Sequence, residues 1–269
     1  MHPIASKKLF LLDMDGTLYL GNRLFDGTID FLNEVRARGG RYIFVTNNSS
    51  KSVSDYVEKL NRMGITATED DFLTSSQATG EYLLEHHKDD KMYVFGTRSL
   101  KKELAGRGLN ITDKYEDGIQ ALVMGFDTEL TFQKLEDTCR LLIGHDEIPY
   151  IATNPDWVCP TEYGSVTDCG SIAHALKNSV GRLPKFIGKP EPEMVYLAMK
   201  KTGFGPDETV VIGDRIYTDI ASGLNAGVTT ILVMSGETTY EVLEASERKP
   251  HYVMADIRQI CNILQGKEE

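Results

Sequence analysis

Four short stretches carry side chains whose types and spacing could do chemistry. The first is Asp13-Met14-Asp15-Gly16-Thr17, directly after the apolar run Leu9-Phe10-Leu11-Leu12. In extended backbone, residues two apart point the same way, so Asp13 and Asp15 address one place at a strand tip while Met14 lies off that face. Two adjacent carboxylates repel, which suits a bound cation or a division of roles between a nucleophile and a proton carrier. A lone D-x-D also serves as an Asx turn in a solvated loop; the strand before it and the Gly-Thr after it favour a site. The second stretch is Thr46-Asn47-Asn48-Ser49, at the end of another apolar run. A hydroxyl, two amides and the fresh N–H groups of a starting helix suit phosphate oxygens, although helix capping explains the same residues. The third is Gly188-Lys189-Pro190, where the proline biases Lys189 toward extended backbone and can set its ammonium at a pocket rim. By itself that tripeptide reads first as a surface lysine. The fourth is Gly213-Asp214-Arg215-Ile216-Tyr217-Thr218-Asp219, with Asp214 ending a strand and Asp219 opening a helix, where negative charge also suits the helix dipole.

The elements that must position these residues follow a regular rhythm. Residues 8–13 and 42–45 read as buried parallel strands. Ile29, Leu32 and Val35 fall at helical spacing before Gly39-Gly40, and Val53, Tyr56, Val57, Leu60 and Met63 make a clear amphipathic stripe ended by Gly64. The rhythm returns at the far end: a helix over 192–201, a strand over 209–214, a short helix over 219–225, a strand over 229–233, a helix near 239–246, a strand at 251–253 and a last helix near 256–265. Strand alternating with helix predicts an α/β fold with a doubly wound, Rossmann-like parallel sheet, whose ligands bind beyond the carboxyl ends of its strands. The middle of the chain has its own alternation, with strands at 92–95, 121–126 and 150–153 and helices near 98–107, 131–144 and 170–180. It reads as an inserted α/β domain over 79–183, between core segments 1–78 and 184–269.

The ordered set D-x-D-G-T, T-N-N, K-P and G-D-x-x-x-T-D, running over nearly the whole chain, resembles the haloacid dehalogenase superfamily. An α/β insert between the second and third motifs, with Asp15-Gly16-Thr17-Leu18-Tyr19 and Thr153-Asn154-Pro155-Asp156, resembles its NagD-like and p-nitrophenyl-phosphatase branch, which makes the insert an α/β cap domain. The resemblance implies a phosphomonoesterase in which Asp13 is the nucleophile and forms an aspartyl-phosphate, while Asp15 protonates the leaving oxygen and then activates water. It implies Mg2+ held by the carboxylates of Asp13 and Asp214 and the main-chain carbonyl of Asp15, with Asp219 orienting the metal's water shell. Thr46, Asn47 and Asn48 would bind the phosphoryl oxygens, and Lys189 would offset the surrounding negative charge. Asn154 and Asp156, at the end of a cap strand, would face the leaving group. Pro155 and Trp157 would shape that wall, with cap core as the alternative for Trp157. The carboxylate at Asp15 argues against a dehalogenase, in which no leaving oxygen needs a proton. Two other readings compete: a phosphotransferase or mutase, and a non-catalytic metabolite-binding protein. Sugar phosphates, phosphoglycolate, nucleotides and aryl phosphates all fit as substrates.

Composition bounds the partners. The 269 residues include 29 basic and 40 acidic side chains, a net charge of −11. That excess argues against gripping a nucleic-acid backbone or an anionic membrane surface but does not exclude a small anionic substrate; the resemblance implies a small phosphorylated metabolite as the partner. No apolar run approaches the roughly 20 residues of a membrane span. Lys7-Lys8 before Leu9 begins like a signal peptide, but the apolar run stops at Asp13. Four cysteines without a C-x-x-C pair read as thiols in a reducing cytoplasm. The resemblance adds a homodimer paired through the cap as an expectation.

Overall fold

The computed structural model describes residues 2–49, 52–161 and 164–267. The chain forms two compact units, one of Met1–Thr46, Val53–Leu73 and Lys189–Glu269, the other of Asn47–Ser52 and Thr74–Gly188. Two of the four chemical motifs therefore straddle points where the chain changes unit, at Thr46/Asn47 and at Gly188/Lys189.

The first unit is built on a six-stranded sheet in the order Tyr252–Met254, Thr229–Val233, Thr209–Gly213, Leu9–Leu12, Arg41–Thr46, Phe72–Thr74. Leu9–Leu12 lies in its middle and pairs in parallel with both neighbours, Leu12 standing level with Ile212 on one side and Phe44 on the other. Every residue of this strand is buried, as a parallel strand covered on both faces requires. Its alternate residues Phe10 and Leu12 join a core with Phe31 and Val35 of the helix Thr28–Ala37, Tyr56 and Leu60 of Val53–Arg62, and Ile257 and Ile260 of Ile257–Leu264. Phe10 and Phe31 meet edge to face, with ring centroids 5.5 Å apart. On the opposite face, Leu11, Val45 and Val211 line a hollow with Met194 and Val195 of the helix Glu193–Thr202. The predicted doubly wound α/β architecture is the one observed. From Leu9–Leu12 the chain winds to one side of the sheet, and from Thr209–Gly213 to the other. The gap between these two strands is thus the topological switch point, where such sheets bind ligands.

One local expectation is corrected. Asp219 does not open a helix: it lies within a single wide π-type turn, Ile216–Ile220, that precedes the helix Ala221–Asn225. Its Oδ2 accepts the Arg215 N–H at 3.1 Å, so the carboxylate folds back to tie the start of that turn. Turns of this type concentrate at functional sites.

The second unit carries a five-stranded sheet in the order Lys185–Phe186, Tyr150–Ala152, Ala121–Met124, Met92–Phe95, Ile111–Thr112, all neighbours parallel. The helices Phe132–Gly144 and Cys169–Val180 bury Leu141, Leu142, Ile172 and Leu176 against Tyr93, Phe95, Leu122 and Met124. An antiparallel hairpin, Val158–Thr161 with Gly164–Thr167, and the helix Ser75–His86 complete it. Among the described residues, no helix is long and apolar enough to cross a membrane.

Candidate active site

The register of the central strands assembles the site. Asp13 follows Leu12, its N–H bonded to the Ile212 carbonyl at 2.9 Å, and Asp214 follows Gly213 at the tip of the adjacent strand. A carboxylate oxygen from each of Asp13, Asp214 and Asp219 lies within 4.8 Å of the others, and no other such group of possible metal ligands occurs among the described residues. Lys189 enters this cluster almost wholly buried. Its Nζ lies 2.7 Å from Asp13 Oδ1 and 2.6 Å from Asp219 Oδ1, and donates to the Val45 carbonyl at 3.2 Å. The surface-lysine alternative is excluded. The Lys189–Pro190 peptide is cis.

Burial and crowding shift the charges. Burial pushes the Asp13 carboxyl up to about 6, with Lys189 opposing the rise and Asp219 adding to it. Burial also pushes Asp214 up to about 8, reinforced by the charges of Asp13 and Asp219. Burial alone would lower Lys189, but the flanking Asp13 and Asp219 outweigh it and hold the ammonium above its ordinary range. One lysine does not offset three carboxylates in so small a volume, and this imbalance is what a cation would relieve.

Close backbone approach is built into the site. Gly16 has φ +87°, and a Cβ there would fall 2.4 Å from Asp214 Oδ2. Asp15 stands apart from the cluster of Asp13, which is partly buried, and Asp214 and Asp219, which are buried. Its side chain is 57% exposed and pairs with Lys59 at 3.8 Å, the lysine also capping the Tyr19 ring at 4.0 Å. Met14, between the two aspartates, is buried in the core and so lies off the site, whereas the Asp13 and Asp15 side chains part, because the strand ends at Leu12 and the chain turns back on the Met14 carbonyl.

The remaining expected residues fall as follows. Thr46 ends its strand two residues beyond Phe44, which stands level with Leu12. Asn47 and Asn48 belong to the second unit: Asn47 Nδ2 donates to Asp156 Oδ1 at 3.0 Å, and Asn48 Nδ2 reaches Cys159 Sγ at 3.7 Å. Asp156 is half-buried. Asn154 is fully buried, and its amide donates to Asp168 Oδ1 at 3.1 Å and accepts from Thr153. The expected place for Asn154 against a leaving group therefore gives way to an internal one, because its amide N–H is spent on the helix-capping Asp168 and its side-chain oxygen on the Thr153 hydroxyl. Trp157 is 55% exposed and meets the His174 ring at a tilt, with centroids 4.4 Å apart; its exposure removes the cap-core alternative.

Sequence reasoning missed the loop at 235–238. It wraps Asp214, whose Oδ2 accepts the Glu237 N–H at 2.6 Å and whose carbonyl accepts the Thr238 hydroxyl at 2.5 Å. The signal available was positional: Ser235-Gly236 follows a strand that neighbours Thr209–Gly213, so it had to lie beside Asp214.

Comparison with known proteins accords with this site. The profile described as haloacid dehalogenase-like hydrolase matches residues 10–110, and a second, HAD-hydrolase-like, matches 186–260. An acid sugar phosphatase of Staphylococcus epidermidis is 36% identical over 248 residues, spanning 92% of this chain and 94% of its own. The chain belongs to the haloacid dehalogenase-like hydrolases. Within them it is a phosphatase of the NagD and p-nitrophenyl-phosphatase branch. The crystal structure of a 4-nitrophenylphosphatase from Thermotoga maritima superposes with a TM-score of 0.92 at 39% identity, over 98% of this chain and 100% of that one. A glycerol phosphate phosphatase from Mycobacterium tuberculosis, solved with magnesium, gives a TM-score of 0.88 at 31% identity, over 97% of this chain and 78% of that one. For a haloacid dehalogenase-like phosphatase, the cluster at the switch point is thus the place to look for its chemistry.

Proposed function

We propose that this phosphatase hydrolyses phosphate monoesters of small metabolites, sugar phosphates first among them, with Asp13 as nucleophile and a bound Mg2+. The observation that carries the reading is the convergence of Asp13, Asp214 and Asp219 on one buried lysine at the switch point. The donor set fits a hard divalent cation: all ligands are oxygens, negative charge is in excess, and Asp214 Oδ1 is buried with no hydrogen-bond partner. Asp13, Asp214 and the main-chain carbonyl of Asp15 would hold the ion. When bound, it supplies positive charge that offsets the carboxylates and polarises the phosphoryl group. Both oxygens of Asp219 already meet protein donors, Lys189 and the Arg215 N–H, which supports a place for it behind the direct ligands.

The protein's own residues divide the work. An Asp13 oxygen attacks phosphorus, and the bond from phosphorus to the ester oxygen breaks. Asp15, exposed and clear of the buried cluster, gives its proton to the departing alkoxide. The same carboxylate then takes a proton from water as that water attacks the aspartyl-phosphate, releasing phosphate and restoring Asp13. Lys189 fixes Asp13 from below and offsets charge that would repel a phosphate dianion. Thr46, Asn47 and Asn48 are assigned to the phosphoryl oxygens. The insert over 79–183 is assigned as the cap, with Asp156 toward the leaving group.

Sugar phosphates come first because the acid sugar phosphatases span more than nine-tenths of this chain. A cytoplasmic location is supported by the four cysteines, none of which forms a disulfide; a homodimer rests on the resemblance and is read by size-exclusion chromatography. The test of function is a panel of phosphomonoesters assayed with Mg2+, in parallel with Asp13→Asn. Phosphate release from small sugar or polyol phosphates, lost in the variant, is expected. Turnover that survives Asp13→Asn would overturn the assignment.

A further inference from the structure

The loop at 235–238 treats the two oxygens of Asp214 differently. Oδ2 accepts the Glu237 N–H at 2.6 Å, and backbone closes on it from two sides: a Cβ on Gly236 would lie 2.0 Å from it and one on Gly16 2.4 Å from it. Oδ1 is buried and has no hydrogen-bond partner. The loop is tied at both ends. The Ser235 hydroxyl donates to the Gly16 carbonyl at 2.7 Å, and the Thr238 N–H and hydroxyl both donate to the Asp214 carbonyl.

The side chain of Glu237 locks this loop to the segment that carries the aspartates. Its Oε2 forms an ion pair with Arg215 Nε at 2.8 Å, though without the alignment of a hydrogen bond. Its Oε1 accepts the Tyr217 hydroxyl at 2.7 Å. Arg215 and Tyr217 follow Asp214 in sequence, so Glu237 closes a ring from the strand tip to the loop and back. Glu237 is itself half-exposed, and exposed pairs add little to folding. The ring's effect therefore belongs to Asp214 rather than to overall stability.

We infer that the 235–238 loop, locked by Glu237, restricts Asp214 to one ligating oxygen and so favours Mg2+ over Ca2+ at this centre. The inference rests on the reading of the three-aspartate cluster as a divalent-cation site. Mg2+ demands a near-octahedral set of single oxygens at short range, whereas Ca2+ accepts more ligands and readily takes both oxygens of one carboxylate. With one lone pair of Oδ2 taken by the short Glu237 N–H and the backbone of Gly16 and Gly236 packed against that oxygen, Asp214 can offer both oxygens to one ion only if the loop moves away. Glu237 is thus a positioning residue that acts through Asp214.

The test is calorimetric titration of Mg2+ and of Ca2+, separately, into the metal-stripped full chain, comparing wild type with Glu237→Ala and Glu237→Gln. Glu237→Ala keeps the backbone N–H on Asp214 but releases the loop that aims it, and is expected to weaken Mg2+ by about 10-fold, the low end of the range for disturbing a ligand's outer-shell partner. Ca2+ should lose less, so the ratio of the two affinities falls. Glu237→Gln keeps an acceptor for Tyr217 while losing the ion pair and should fall between; it decides the question where the alanine variant does not fold. An unchanged Mg2+/Ca2+ ratio in both variants, with wild-type Mg2+ binding intact, overturns the role of Glu237 alone. Absence of Mg2+ binding in the wild type overturns the cation centre and this inference with it.

Discussion

Lys189 is placed directly between Asp13 and Asp219, with its Nζ at 2.7 and 2.6 Å from their oxygens. Its removal leaves two carboxylates facing each other with little water to screen them. Breaking a buried pair by deleting one partner typically costs about 3–5 kcal/mol. Lys189→Met, nearly isosteric, should lose turnover and about that much stability in urea unfolding measured without added metal. A variant with wild-type unfolding free energy would show that the ammonium is not the counter-charge holding the site. Asp15 contrasts with this arrangement: exposed and paired only loosely with Lys59, it has the access to solvent that a group exchanging protons with water needs.

Strand tips, turns and glycines convert these side chains into a site. The registers Leu12 with Ile212 and Leu12 with Phe44 bring Asp13 beside Gly213 and Val45, so Asp214 and Thr46 follow within one residue on either side. Gly16 lets the turn after the first strand pass against Asp214 in a backbone conformation that L side chains avoid. Gly16→Ala is expected to keep the fold, read by circular dichroism, but to abolish phosphatase activity, because the added methyl must displace Asp214 Oδ2. Activity within threefold of wild type would contradict the tight approach. The main strands and amphipathic helices were legible because periodicity reports burial: Val53–Arg62 and Ile257–Leu264 both follow apolar spacing in the sequence. The helix Ser75–His86 was not, since its first half is Ser, Gln, Ala, Thr and Gly and gives no stripe. Its start was nevertheless encoded as a capping box, the Thr74 hydroxyl accepting from Gln77 N–H and the Gln77 side chain accepting from Thr74 N–H. The short hairpin Tyr19–Leu20 with Arg23–Leu24 also escaped notice, because two-residue strands carry no period.

At the scale of the molecule, the net charge of −11 places a strongly negative protein around a negative substrate. A bound divalent cation makes that workable locally, and it couples to folding, since any ligand of the native state stabilises it by RT ln(1 + [L]/Kd), about 2.7 kcal/mol at a hundredfold excess over Kd. A chelator should therefore abolish turnover and lower the thermal midpoint together, and added Mg2+ should restore both. Full activity in chelator would remove the metal from the mechanism.

The sequence by itself determined the α/β class and the order of the motifs, and the resemblance carried by that ordered set singled out Asp13, Lys189, Asp214 and Asp219. Residue type, spacing of two and apolar period are local features, and the order of the motifs is read along the chain. The tertiary structure decided what depends on contacts between distant segments. It turned Lys189 from an ambiguous lysine into a buried counter-charge, spent Asn154 on Asp168, set Asp219 inside a turn, and brought the 235–238 loop onto one oxygen of Asp214. Strand order and register create those contacts, and no local spacing encodes which strand will lie beside which.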